Sequence, residues 1–269
     1  MNVVIITGAS DGIGAELARQ MAQQEGTNLA LVLAARSTDK LEQVARQCRQ
    51  SGAQVLVRPT DVGQEAECRG LIADAVNRFE RIDTLINNAG MSAHALLEDV
   101  LDMGWYEQLM RINLWGSAWC THAALPHLKA SRGRIVVVSS LAGLVGLPGR
   151  TAYSATKFAM TGFFEALRIE MAPHGVSLTL TYPGVVATDI RHRGFNAQGQ
   201  PAGKSGLHES GAMSVEECAR LIRVGSQRRQ REVVMSFKGK MSRWMKLIAP
   251  GLVDQLAIAA LKEDVRPHG

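Results

Sequence analysis

Two hydrophobic periods alternate along the chain. Short runs rich in Val, Ile and Leu, "NVVIIT" (2–7), "NLALVLAA" (28–35), "AQVLVRP" (53–59), "DTLIN" (83–87), "RIVVVSS" (134–140), "VSLTLTY" (176–182) and "EVVMSF" (232–237), predict seven strands. They lack polar alternation, which is the pattern of strands buried on both faces, as in a parallel sheet. Between them, stretches such as "IGAELARQMAQQEG", "DKLEQVARQCRQSG" and "EECARLIRVGSQR" carry apolar residues at helical spacing and often end at glycine. Strand and helix in alternation, joined by right-handed crossovers, predict an α/β fold: a doubly wound seven-stranded parallel sheet with helices on both faces. Ligands bind such sheets beyond the carboxyl ends of the strands.

No repeat, low-complexity tract or linker divides the chain, so residues 1–269 read as one domain. Two segments break the rhythm. From Arg191 to Ala212 the chain is polar and glycine-rich, too long for an ordinary connection; segments of this kind are lids, binding loops or disordered. From 238 to 262, Met241, Trp244, Met245, Ile248, Leu252, Leu256 and Ala260 recur at helical intervals, interleaved with Lys238, Lys240, Arg243 and Lys246. A basic amphipathic helix can lie on an anionic membrane. The preferred reading is packing on the rim of a substrate cleft or on a second subunit, because Met and Trp at this spacing are usually core.

Composition narrows the partners. Hydrophobic residues are 46% and charged residues 20%, the profile of a folded chain. The net charge of +5 suits anionic ligands, yet the basic residues are dispersed and aromatics are only 5%, which argues against nucleic acid. Cys48, Cys68, Cys120 and Cys218 show no CxxC or zinc spacing, and no HExxH occurs; a reducing compartment and no metal site are expected. The N-terminus runs straight into "NVVIITGAS" with no basic leader, and no stretch reaches membrane-span length, so the expected location is the cytoplasm.

The chemistry starts at "TGASDGIG" (7–14), between the first strand and the first helix. Gly8, Gly12 and Gly14, with Ser10, Asp11 and Ile13 among them, let backbone approach a pyrophosphate held at the helix N-terminus. Asp11 is also placed to cap that helix. The second strand ends at Arg36 and Ser37, where NAD sites place an acid for the ribose 2′-OH. An arginine there grips a 2′-phosphate, which favours NADP(H); NAD(H), read by Asp39, is the alternative. Tyr153 and Lys157, four residues apart in "YSATK", share one helix face.

In order and spacing, TGxxxGIG, Asp61-Val62, "NNAG" (87–90), Asn113, Ser140, "YSATK" (153–157) and "PGVVAT" (183–188) resemble the short-chain dehydrogenases/reductases over residues 1–190. The stretch 136–168 is similar to the 11β-hydroxysteroid dehydrogenase branch. The resemblance implies a Rossmann-like fold and hydride transfer between a nicotinamide and a ketone or alcohol. Hydride transfer to a ketone leaves an alkoxide that needs a proton, so the site needs a general acid beside the carbonyl. A free phenol titrates near pH 10 and a nearby cation favours its ionised form, so Lys157 would tune Tyr153. By resemblance Lys157 also bonds the nicotinamide ribose, Ser140 (rather than its neighbour Ser139) polarises the substrate oxygen, and Asn113 supports a water-linked proton relay. Asp61 and Val62 would border the adenine, Asn87 would begin the loop at the strand-order reversal, and Pro183, Val186 and Thr188 would hold the nicotinamide end. Asp11 departs from NADP-binding relatives, where serine or a basic residue is common. The expected protein is an NADP(H)-dependent carbonyl reductase or alcohol dehydrogenase acting on a small molecule as a homodimer or homotetramer. The rivals are a dinucleotide sensor without catalysis and a membrane-surface scaffold.

Overall fold

A computed structural model describes residues 1–261 except positions 208 and 210 and the side chain of Lys238. His208 and Ser210 of the expected loop, Lys262 at the end of the expected amphipathic segment and the Lys238 side chain of its basic face lie outside the described residues. The strands are β1 (Asn2–Thr7), β2 (Leu29–Ala35), β3 (Gln54–Pro59), β4 (Thr84–Asn87), β5 (Arg134–Val138), β6 (Ser177–Tyr182) and β7 (Glu232–Val234). The helices are α1 (Gly12–Glu25), α2 (Thr38–Gln50), α3 (Glu65–Phe79), α4 (Gly104–Met110), α5 (Gly116–Ser131), α6 (Thr151–Met171), α7 (Val215–Gln227), α8 (Phe237–Ile248) and α9 (Pro250–Ala259). The sheet is parallel throughout in the order β3-β2-β1-β4-β5-β6-β7, so the direction of winding reverses between β1 and β4.

Each central strand feeds two cores. Val4 and Ile6, Leu31 and Leu33, and Val136 and Val138 face α1, α2 and α7; Ile5, Val32, Ile135 and Val137 face α3, α5 and α6. The two-residue period of a strand therefore serves both layers, which explains runs that are apolar at every position. Two strands stop two or more residues before the ends of their predicted runs. β5 stops at Val138, before Ser139 and Ser140, and β7 stops at Val234, because Ser236 caps α8 by accepting from the Gly239 N–H at 3.0 Å. At α7, Ser214 accepts from Glu217 N at 3.1 Å, an N-cap in a Ser-x-x-Glu sequence.

The connection from β1 to α1 is held by close backbone packing. Gly8 adopts φ +66°, and Gly14 in the first turn of α1 lies flat against it. A Cβ on Gly14 would sit 2.3 Å from the Gly8 carbonyl oxygen and 2.5 Å from Asn88 Nδ2. Gly14→Ala must push these apart and is expected to lower stability by about 1–3 kcal/mol. Urea denaturation measures this, and an unchanged midpoint would show the turn to be more compliant than its contacts indicate.

Candidate active site

A cleft of about 840 Å³ opens along the carboxyl ends of the strands at the reversal point. Its cofactor-sized end is walled by Gly8, Ser10, Asp11, Gly12 and Ile13 after β1, by Arg36 and Ser37 after β2, and by Asp61 and Val62 after β3. Ser139, Ser140, Tyr153, Lys157, Pro183, Val186 and Thr188 line the same cleft further along. Three predicted residues do not line it. Gly14 packs behind the glycine turn; Asn87 is buried and donates to Thr121 Oγ1 at 2.8 Å; Asn113 lies fully buried below the floor. The alternative reader Asp39 sits exposed in the first turn of α2, outside the lining.

Local structure explains each placement. Asp11 caps α1, accepting from the Gly12 N–H at 2.7 Å. The Thr7 hydroxyl accepts from the N–H groups of Asn88 and Ala89, both at 3.0 Å, so β1 fixes the loop after β4. Asn88 returns the contact, donating to the carbonyls of Thr7 at 2.9 Å and Gly8 at 3.2 Å. Between α4 and α5, Arg111–Trp115 form one wide π-helical turn, a widening often met at functional sites. There Asn113 accepts from Met91 N at 2.8 Å and donates to Met91 O at 3.0 Å and to Thr156 Oγ1 at 2.9 Å. Its side chain thus ties the loop after β4 to the first turns of α6.

Tyr153 and Lys157 occupy those first turns, and both are nearly fully buried. The Lys157 ammonium lies 5.7 Å from the Tyr153 ring centroid and donates to the Val138 carbonyl at 3.1 Å. Burial pushes its pKa below the ordinary 10.5, and the charge of Tyr153 opposes that shift. Ser140 lines the cleft while its hydroxyl oxygen accepts from Ala142 N at 3.2 Å. The neighbouring Ser139 hydroxyl is buried without a hydrogen-bond partner.

Arg150, three residues before Tyr153, carries no sequence motif and is part of the site. Its guanidinium lies 4.5 Å from the Tyr153 ring centroid, donates to Ala93 O at 3.3 Å and contacts Ser92 Oγ. Burial lowers its pKa, Tyr153 raises it and Arg191 lowers it further. The only signal in the sequence is a charge immediately before a helix whose first turns carry the buried Tyr153 and Lys157.

The 191–212 segment closes one side of the cleft. Arg191 pairs with Glu209 at 2.7 Å and donates to Val186 O at 2.9 Å, while Phe195 and the 92–94 segment exchange backbone hydrogen bonds of 3.0 and 2.8 Å. α8 and α9 add a further wall through Met241, Val253, Leu256 and Ala257. Two basic residues of α8 are occupied within the molecule: Arg243 pairs with Glu232, and Lys246 lies 4.8 Å from the Phe158 ring centroid. Trp244, Leu247 and Ile248 point outward, 66–84% exposed. No described helix is long and apolar enough to cross a membrane.

The chain belongs to the short-chain dehydrogenase family, whose sequence model matches residues 2–199. It is an oxidoreductase acting on CH–OH and C=O groups of a small molecule, and the family's cofactor is a nicotinamide dinucleotide. It is 37% identical over 267 residues to the 11-beta-hydroxysteroid dehydrogenase-like 2 of Arabidopsis thaliana, covering 99% of this chain and 83% of that one. It is 36% identical over 258 residues to the 11-beta-hydroxysteroid dehydrogenase A of Sesamum indicum, covering 94% and 73%. Among solved structures, an alcohol dehydrogenase from the archaeon Thermococcus sibiricus, complexed with 5-hydroxy-NADP, superposes with a TM-score of 0.76 at 27% identity, covering 87% of this chain and 96% of that one. A Streptomyces avermitilis short-chain dehydrogenase shares the fold with a TM-score of 0.79 at 24% identity, covering 93% and 94%.

The residues present fit a dinucleotide. The turn at Gly8 and Gly12 has positive φ at both positions and brings bare backbone to the cleft, and Arg36 lines it as an exposed cation. Lys157 offers a test of how the site loads the fold. Below its depressed pKa, folded and unfolded chains both carry the proton and the full burial cost is felt. Between that value and 10.5 the folded chain sheds the proton first, so its stability rises with pH. Wild type should therefore gain stability on Lys157→Met as pH rises through the alkaline range. A difference that stays constant in denaturant titrations from neutral to alkaline pH would contradict this.

Proposed function

We infer that the protein is an NADP(H)-dependent oxidoreductase of ketones and alcohols in which Tyr153 is the general acid and base. The observation that carries this reading is the single cleft lined by the glycine turn and Arg36 at one end and by Ser140, Tyr153 and Lys157 at the other. A nicotinamide dinucleotide held along the glycine turn and Arg36 would supply the hydride chemistry at the substrate carbon. Tyr153 gives its phenolic proton to the carbonyl oxygen in reduction and takes it back in oxidation. Lys157, held by the Val138 carbonyl beside the ring, favours the phenolate left after proton transfer. Ser140 holds the substrate oxygen by hydrogen bond, and Asn113 keeps Met91 and Thr156 in register below the reacting groups.

Arg36 supports NADP(H) over NAD(H): it lines the cleft at the end of β2, where Asp39 does not. The Thermococcus sibiricus relative was solved with an NADP derivative, in accord with this choice. The relatives named for 11-beta-hydroxysteroids, and the apolar wall of Val145, Leu147, Met241, Val253 and Leu256, favour a bulky apolar substrate. Residues 191–212 and α8–α9 form the substrate walls in this reading.

Titration with NADPH and NADH, followed by nicotinamide fluorescence, tests the cofactor: tighter NADPH binding is expected, and tighter NADH binding would transfer the ribose contact to Asp39. Tyr153→Phe is expected to lower turnover by about 10²–10⁴-fold while leaving nucleotide affinity unchanged. Ending the chain at Ala249 removes α9 and should raise the KM for a bulky ketone while sparing nucleotide affinity. Unchanged kinetics in that truncation would remove α9 from the substrate site.

A further inference from the structure

Asp11 poses an electrostatic problem at the cofactor end. It lines the cleft beside Gly12. A lone carboxylate beside phosphates repels them, and like-charge contact in a partly desolvated cleft weakens binding strongly. The structure shows how this charge is answered. Asp11 Oδ1 accepts from Gly12 N at 2.7 Å, and Oδ2 lies 3.1 Å from an Arg193 Nη and 4.0 Å from Lys40 Nζ. The nearer cation comes from the loop after β6, more than 180 residues away in sequence. Its arrival there is fixed by the backbone: Arg193 N donates to Asp189 O at 3.1 Å and Phe195 N to Ser92 O at 3.0 Å. At Thr188 the same segment touches the glycine turn, its methyl 3.2 Å from where a Cβ on Gly12 would stand. Arg36, Lys40, Arg193 and Asp11 all line the cleft, and Lys40 and Arg193 are the cations beside the carboxylate.

We propose that Arg193 is a cofactor-specificity residue: by neutralising Asp11 it leaves Arg36 and Lys40 to receive the 2′-phosphate of NADP(H). This rests on the dinucleotide reading given above. It deepens that reading by making a residue of the substrate-side loop responsible for tolerance of the extra phosphate. The cation that the glycine turn lacks at position 11 is supplied from across the cleft. Cofactor selectivity and the position of the 191–212 loop are then linked, because the ion pair exists only when the loop lies against the glycine turn.

Equilibrium binding of NADPH and NADH, which differ only in the 2′-phosphate, tests the proposal in wild type, Arg193→Gln, Asp11→Asn and the double variant. Both side chains are about half exposed, so the substitutions spare the core, and Asn keeps the helix cap. Arg193→Gln should weaken NADPH by about tenfold and NADH much less, because it leaves Asp11 facing the phosphate with only Lys40 nearby. Asp11→Asn in the Arg193→Gln background should restore most of the NADPH affinity, with a coupling that fades at high salt. Equal weakening of both nucleotides, or no rescue by Asp11→Asn, would overturn the proposal and leave the pair as a loop tether. If wild type bound neither nucleotide, the dinucleotide reading itself would fall, a result distinct from either.

Discussion

Everything in this molecule depends on the reversal of winding between β1 and β4. Parallel strands send all their carboxyl ends to one edge, and connections leaving in opposite directions part there to leave a crevice. Thr7, the last residue of β1, keeps that crevice in shape. Its hydroxyl holds the backbone of Asn88 and Ala89 and donates to Ile86 O at 3.3 Å, so the ends of the two diverging strands are joined by one side chain. The glycine turn leans on the same junction through Asn88. The loop after β4 then passes to Asn113 at Met91, and Asn113 passes the constraint to α6 through Thr156. A chain of hydrogen bonds thus runs from the first strand to the turn that presents Tyr153.

The cost of that presentation is visible in the charges. Lys157 and Arg150 are both cations in nearly dry surroundings, and burial lowers the pKa of each. Among the described residues they donate to neutral groups: the Val138 and Ala93 carbonyls, the Ser92 hydroxyl and the Met160 sulfur. Buried cations held by neutral groups are expensive to fold, and in a functional cleft they are ready for an anion to form. In the reaction proposed above, that anion is the ionised phenol of Tyr153 between proton transfers. The two cations stand 4.5 and 5.7 Å from the centre of its ring.

Much of this was legible in the sequence because it rests on short-range rules. All seven strands were marked by apolar runs, and the glycine turn and the Tyr–Lys pair by their spacing. What escaped depends on partners distant in the chain. Asn87 and Asn88 look equivalent in "NNAG", yet Asn87 turns inward to Thr121 and Asn88 braces the glycine turn. Asn113 sits in a helical sequence, and nothing local announces the wide turn that directs it to Met91. Arg150 is ordinary in "PGRTAY" until the loop at Ser92 and Ala93 folds over it.

Asp11 makes the same point for charge. From sequence alone, an acid in the glycine turn opposes an arginine at the end of β2, because one disfavours and the other favours a phosphate. The conflict disappears once Arg193 is brought across the cleft to within 3.1 Å, since the carboxylate then presents an ion pair rather than a charge. Pairs of this exposure contribute little to stability. Their effect on a ligand is larger, because the ligand is a polyanion that meets the local field at close range and in a cleft with low-dielectric walls. A residue that is almost neutral for folding can therefore decide which nucleotide fits. Only the folded loop, and no motif within it, carries that information.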